Sequence, residues 1–337
     1  RVGSRNERPG ITGISHFFEH MMFNGTKTRA PGEFDRIMEG SGGSNNAYTS
    51  SDVTVYQNWF PASVTSLIFD LESDRMRNLD FDAEKVESER GVVYSERRSS
   101  VDNDNFGTLL EQMQATAFVA HPYQIPIIGW PSDIEGWKVA DLQDYYHQYY
   151  APNNAVMFIV GDVDPEAVFK LADQYLAGIP AQPTPPAVTT KEPPQLGERR
   201  LRIERDAQTP LIAMAWHTAA ASAREARVME VLLAILGDGD SSRLYQRLVE
   251  QEQAAVDVGT QFDAGFDPGL AWVYAVVPPG AGVTRTEKLI DEEIGRLAQE
   301  GPTQVEITKA RNQALVGFWH GLETISGKAQ ALGQYEV

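Results

Sequence analysis

The stretch "PAQPTPPAVTTKEPPQLGERR", residues 180–200, holds six prolines and almost no periodic apolar pattern. Proline locks φ and removes a backbone donor, so a run this dense can neither continue a helix nor lie inside a sheet. It has linker composition and sets a domain boundary. We therefore expect a first domain over 1–182, a linker over 183–198 and a second domain over 199–337. At about 150 residues per domain, a chain of 337 residues has room for two. Both sides mix strand-like and helix-like patterns. The expected fold class is α+β: two related α/β-sandwich domains, each a mixed or antiparallel sheet packed against helices.

In the first domain, residues 12–24 read as a helix stopped by Gly25. Residues 41–60 alternate in strand fashion, and 63–79 return to helical spacing. Further helices are expected over 84–99 and within 106–118. "NNAVMFIVGDV" reads as a buried strand leading to a helix that starts at Asp164-Pro165. After the linker, 201–218 predicts two strands, 224–237 a helix and 259–277 a hairpin. Two long helices are expected over 285–301 and 303–322.

A formal net charge of -18 excludes the clustered basic surface that nucleic acid requires. No run of eighteen apolar residues is present, so no membrane span is expected. Cysteine is absent, which leaves any zinc site to histidine and carboxylate ligands. The opening "RVGSRNERPG" is neither an initiator methionine nor a signal peptide, and we expect the native N-terminus to lie upstream.

"GISHFFEHMMFNGT" carries the chemistry. His16, Glu19 and His20 are three and four residues apart and share one helix face. Two imidazoles at i and i+4 can grip one metal ion, with Glu19 able to reach a water beside it. The order is HxxEH, the reverse of HExxH. The competing reading is a core helix whose histidines are merely hydrogen-bonded. A third ligand would strengthen the metal reading, and "EKVESERGVVYSERRSS" offers one. Glu89 and Glu96 are two helical turns apart, beside a stripe formed by Val86 and Val93. Carboxylates on an inward face need a partner or a cation. The alternative is a surface charge pattern, since Glu84, Glu87, Arg90, Arg97 and Arg98 surround them. His121, His147, His217 and His320 are isolated and read as structural or surface residues.

These stretches resemble the pitrilysin/insulinase family of inverted zinc peptidases. "GSRNERPGITGISHFFEHMMFNGT" is similar to the family's N-terminal signature, including the leading GSR-x-E and the trailing F-x-G-T. "ERGVVYSE", 89–96, matches the later E-R-x-V-V-x-x-E pattern. Within that family the chain resembles the catalytic zinc-binding subunit of the bacterial processing-peptidase-like branch. The resemblance implies one zinc per chain on His16, His20 and Glu96, with Glu19 as general base and Glu89 supporting the ligands. "GGSNNAYTSSDVTVY" matches the strand that pairs with the substrate main chain, which places Asn46, Ala47 and Tyr48 at substrate-binding positions. The implied activity is a metalloendopeptidase acting on unfolded peptides. The similarity begins after the family's first strand and stops before the second domain is complete.

One departure stands out. Active assemblies of this family present an Arg and a Tyr seven residues apart, and the matching positions here are Val249 and Val256. Arg243, Tyr245 and Arg247 have the wrong spacing and read as helix-surface residues. The resemblance therefore implies a heterodimer whose homologous partner supplies the Arg/Tyr pair. The alternatives are a homodimeric peptidase or a non-catalytic core or scaffold subunit. The expected compartment is the bacterial periplasm, with the cytoplasm as the alternative.

Overall fold

The computed structural model describes residues 1–337. In chain order the first elements are α1 (Ile14–Met21), α2 (Glu33–Gly40), β1 (Ser44–Thr49), β2 (Thr54–Trp59), α3 (Thr65–Asn78) and α4 (Ala83–Arg97). There follow α5 (Asn105–Ala117), α6 (Pro131–Gly136), α7 (Val139–Tyr149) and α8 (Pro165–Tyr175). Beyond the proline-rich stretch come β3 (Leu211–His217), α9 (Arg224–Gly237), β4 (Asp257–Asp263) and β5 (Leu270–Val276). The chain closes with α10 (Val283–Glu300), α11 (Gln304–Gly321) and α12 (Ile325–Glu336). The fold is α+β, and both sheets are antiparallel.

Two compact units emerge: residues 1–97, 120–191 and 320–337 in the first, 98–119 and 192–319 in the second. They differ from a single cut in the linker by two exchanged segments. Residues 98–119 join the second unit because Phe106 of α5 meets Trp272 and Tyr274 of β5. Residues 320–337 join the first, where the Arg1 guanidinium donates to the carbonyl of Glu336 at 3.1 Å.

The first unit is built around α1. Ile14, Phe17, Phe18 and Met21 recur at helical spacing, and all four are fully buried. Removing each from water contributes about 1.5–3 kcal/mol. They pack with Val86 and Val93 of α4 and with Trp137, Leu142, Tyr145 and Tyr146 around α7. The hairpin β1–β2 lies beside α1, in register from Ser44 opposite Trp59 to Thr49 opposite Thr54. In the second unit β5 is the central strand, flanked by β3 and β4. Its continuous apolar run "LAWVYAV" suits a strand covered on both faces, and its residues are mostly buried. Val273, Ala275, Leu244, Leu248 and Ile290 form the core there.

Two expected strands do not form. Residues 155–160 pair with no strand, and Val156 and Met157 are exposed. Residues 201–206 are likewise unpaired, so 201–218 yields only β3. Apolar, β-branched composition favours an extended chain, but a strand exists only where a neighbour completes its hydrogen bonds.

Candidate metal centre

Helix α1 begins at Gly13, whose φ of 82° is left-handed and whose position offers no side-chain cap. A Cβ there would stand 2.4 Å from the Ile128 carbonyl oxygen, so only glycine fits. The helix turns its apolar residues inward and leaves His16, Glu19 and His20 on the opposite face. Helix α4 packs against α1 through the buried Val86 and Val93, which brings Glu89 and Glu96 over that face. The inward stripe expected from the sequence is present.

Three side chains then converge. One ligand-type atom from each of His16, His20 and Glu96 lies within 4.8 Å of the others. His16 Nε2 is 3.6 Å from Glu96 Oε1, and His20 Nε2 is 3.2 Å from Glu96 Oε2. His20 Nδ1 donates to Glu89 Oε1 at 2.8 Å, because a carboxylate can only accept. That bond fixes the ring so that Nε2 of His20 faces Glu96, as a proton donor to it or, with that proton lost, as a metal ligand. The Asn24 amide donates to the other Glu89 oxygen, so each oxygen of Glu89 has its own donor. The donor set, two imidazole nitrogens and a carboxylate in mutual reach, fits zinc with an open position.

The electrostatics point the same way. Burial, aided by the nearby charge of His20, pulls the His16 pKa down to about 4, so its ring is neutral. Burial also opposes a charge on His20, but hydrogen bonds and charge from Glu89 and Glu96 outweigh it and raise His20 to about 9. Glu96 is lowered by its hydrogen bond with His20, against burial. Two carboxylates thus face one charged ring and one neutral ring, an arrangement one positive charge short of neutrality. Glu19 is half-buried, which raises its pKa, while a hydrogen bond from Thr49 Oγ1 at 2.6 Å works against that rise. An elevated carboxylate suits proton transfer near neutral pH.

Asn46, Ala47 and Tyr48 lie along β1, which has β2 on one edge and no strand on the other. Thr49 ends β1 on the Glu19 carboxylate, tying the open strand to the helix that carries the polar triad. In the second unit, Val249 packs against the core, and Val256 is exposed just before β4. Arg243 corrects an expectation: it is no surface residue. Its side chain is 9% exposed and makes two hydrogen bonds to Glu306, at 2.6 and 2.9 Å. His121 is buried, while His147, His217 and His320 are exposed. No second group of ligand-type side chains converges.

Sequence reasoning did not single out Asn24 or Thr49, and it met Glu7 only as the last residue of the GSR-x-E stretch, with no role assigned. Glu7 is buried and accepts from the N–H groups of Gly13 and Ser15 at 2.7 and 2.8 Å. A signal for its role was a helix start lacking Ser, Thr, Asp or Asn at its cap, which calls for a donor-accepting group from elsewhere.

Comparison with known proteins agrees with this geometry. Residues 1–130 match the family model described as insulinase (peptidase family M16), and residues 136–314 match the peptidase M16 inactive domain. The zinc protease PqqE of Helicobacter pylori is 32% identical over an alignment spanning 100% of this chain and 77% of that protein. The crystal structure of a protease from Helicobacter pylori superposes with a TM-score of 0.95 at 30% identity, covering 99% of this chain and 82% of that one. The periplasmic protease PqqL from Escherichia coli shares the fold, with a TM-score of 0.75 at 20% identity over 99% of this chain and 38% of that one. The two matched family models and a relative at this identity, spanning the whole chain, place it in peptidase family M16.

Proposed function

We propose that this chain is a zinc metalloendopeptidase subunit that cleaves unfolded peptides, with one zinc held by His16, His20 and Glu96. The observation that carries the proposal is the convergence of those three side chains on a face one positive charge short of neutrality. When bound there, zinc supplies Lewis acidity, lowering the pKa of water and polarising a carbonyl. Glu19 takes the proton of the attacking water and delivers it to the departing amine. Glu89 fixes the tautomer and orientation of His20, and Asn24 fixes Glu89. The open edge of β1 at Asn46, Ala47 and Tyr48 pairs with an extended substrate through main-chain hydrogen bonds, which asks little of the substrate's sequence.

The second unit has valine at 249 and 256, where the resemblance calls for an Arg and a Tyr. Neither valine can donate to a carbonyl. We assign that task to a homologous partner subunit, giving a heterodimer, and the match of 136–314 to a domain described as inactive supports this division. The Escherichia coli neighbour is a periplasmic protease, which supports a periplasmic setting for this chain. The test is metal analysis of the purified chain, then peptide hydrolysis before and after chelation and with the partner added. One zinc per chain, with turnover that needs both zinc and the partner, is the expected result. Full activity from the chain alone would replace the heterodimer with a homodimer, and no bound zinc would leave a scaffold subunit.

A further inference from the structure

The "GSRNE" stretch ends in a buried carboxylate that the proposed chemistry does not use. Helix α1 has a specific problem at its start. Its first N–H groups need acceptors, and the residue at the cap must be glycine because of its left-handed φ and the crowding against Ile128 and Gly129. A local Ser or Asp cap is therefore excluded by the same contact that seats the helix. Glu7 supplies the missing acceptors from upstream. One oxygen takes the Gly13 N–H and the other the Ser15 N–H. Ser15 is tethered a second time, through its hydroxyl to the Tyr145 hydroxyl at 2.7 Å. His16 is the next residue. With the main chain held on both sides of Ile14, the direction in which α1 presents His16 to Glu96 is set by Glu7.

We propose that Glu7 is a positioning residue of the metal centre: by holding the Gly13 and Ser15 N–H groups it fixes the first turn of α1, and with it His16. This role rests on the zinc reading of His16, His20 and Glu96.

The experiment compares wild-type chain, Glu7→Gln and a purely structural control, Ile134→Val, a fully buried core residue outside the site. Zinc affinity is measured by chelator competition, ligand geometry by the visible spectrum of the cobalt(II)-loaded chain, and stability by thermal unfolding. Glutamine keeps the size of Glu7 but turns an N–H donor towards an N–H donor. Glu7→Gln is expected to weaken zinc about tenfold and to change the cobalt spectrum, while Ile134→Val loses stability with both readouts unchanged. Wild-type zinc affinity and an unchanged cobalt spectrum in folded Glu7→Gln would overturn the proposal. Should Glu7→Gln fail to fold, Glu7→Asp takes its place. Aspartate is one methylene shorter and spans only one of the two donors, so a smaller weakening supports the role and none overturns it. Absence of zinc binding in the wild-type chain would instead defeat the underlying metal reading.

Discussion

Each unit contains a cluster of partly or wholly buried charge, and the two are built on opposite principles. In the first unit, Glu89 and Glu96 face the two imidazoles of α1, only one of which carries a positive charge. In the second, Arg243 is paired with Glu306, and Arg296 with the buried Glu293. The second cluster closes on itself in charge: two cations and two anions, each within ion-pair reach of an opposite charge. The first does not, and its unmet demand is for positive charge. Buried charge alone is therefore a poor marker of function, since structural ion pairs show it too. The informative quantity is whether the protein's own groups balance.

The comparison breaks most severely at Glu19. Glu19→Gln should keep zinc content near normal and lower peptidase turnover by about 10² or more. Turnover at the wild-type level would remove Glu19 as the base. Next, Glu96→Gln takes away the carboxylate that faces both rings, and metal analysis should find most of the zinc gone. Retained metal would remove Glu96 from the site. The self-neutral cluster should answer differently. Arg243→Ala leaves Glu306 without its cation, while Glu293 keeps Arg296, and should cost about 3 kcal/mol of unfolding free energy, with zinc content unchanged. A loss of zinc in that variant would mean that the two clusters are coupled rather than independent.

The smallest effect is on acid stability. The Arg243 hydrogen bond, against a smaller burial effect, lowers the Glu306 pKa from its ordinary 4.5 to about 2. A depressed folded-state pKa contributes stability that is complete above the ordinary value and is lost as the pH falls through the lowered one. The melting temperature of the wild type should therefore fall between about pH 4.5 and about pH 2 more steeply than that of Glu306→Gln. Parallel curves would show that this pair contributes nothing to acid resistance.

What the sequence disclosed follows from the reach of helical spacing. His16, Glu19 and His20 share a face because of their intervals, and Glu89 and Glu96 share one two turns apart. Both patterns survive in the structure. Glu7, Asn24 and Thr49 carry no such interval. Their partners are set by a loop crossing, a chain reversal after α1 and the end of β1, all products of tertiary packing. The same limit explains residues 155–160, where composition announced an extended run but could not supply the neighbouring strand. Arg243 was misread because an amphipathic surface and a buried ion pair look alike when only one partner is in view.

The crossing at Gly13 has a consequence for the order of events during synthesis. Gly13 meets Gly129, and the Asp133 carboxylate accepts from the N–H groups of Gly10 and Thr12. Contacts this distant in the chain close late, since more than a hundred residues must be made and ordered before they can form. A nascent chain that has emerged only through α4 already displays His16, His20 and Glu96 but lacks the segment against which α1 is seated. Ribosome-bound chains ending near α4 should therefore hold zinc more weakly than chains extended past α7, so that on the proposed function the site would be completed only after most of the first unit has been made.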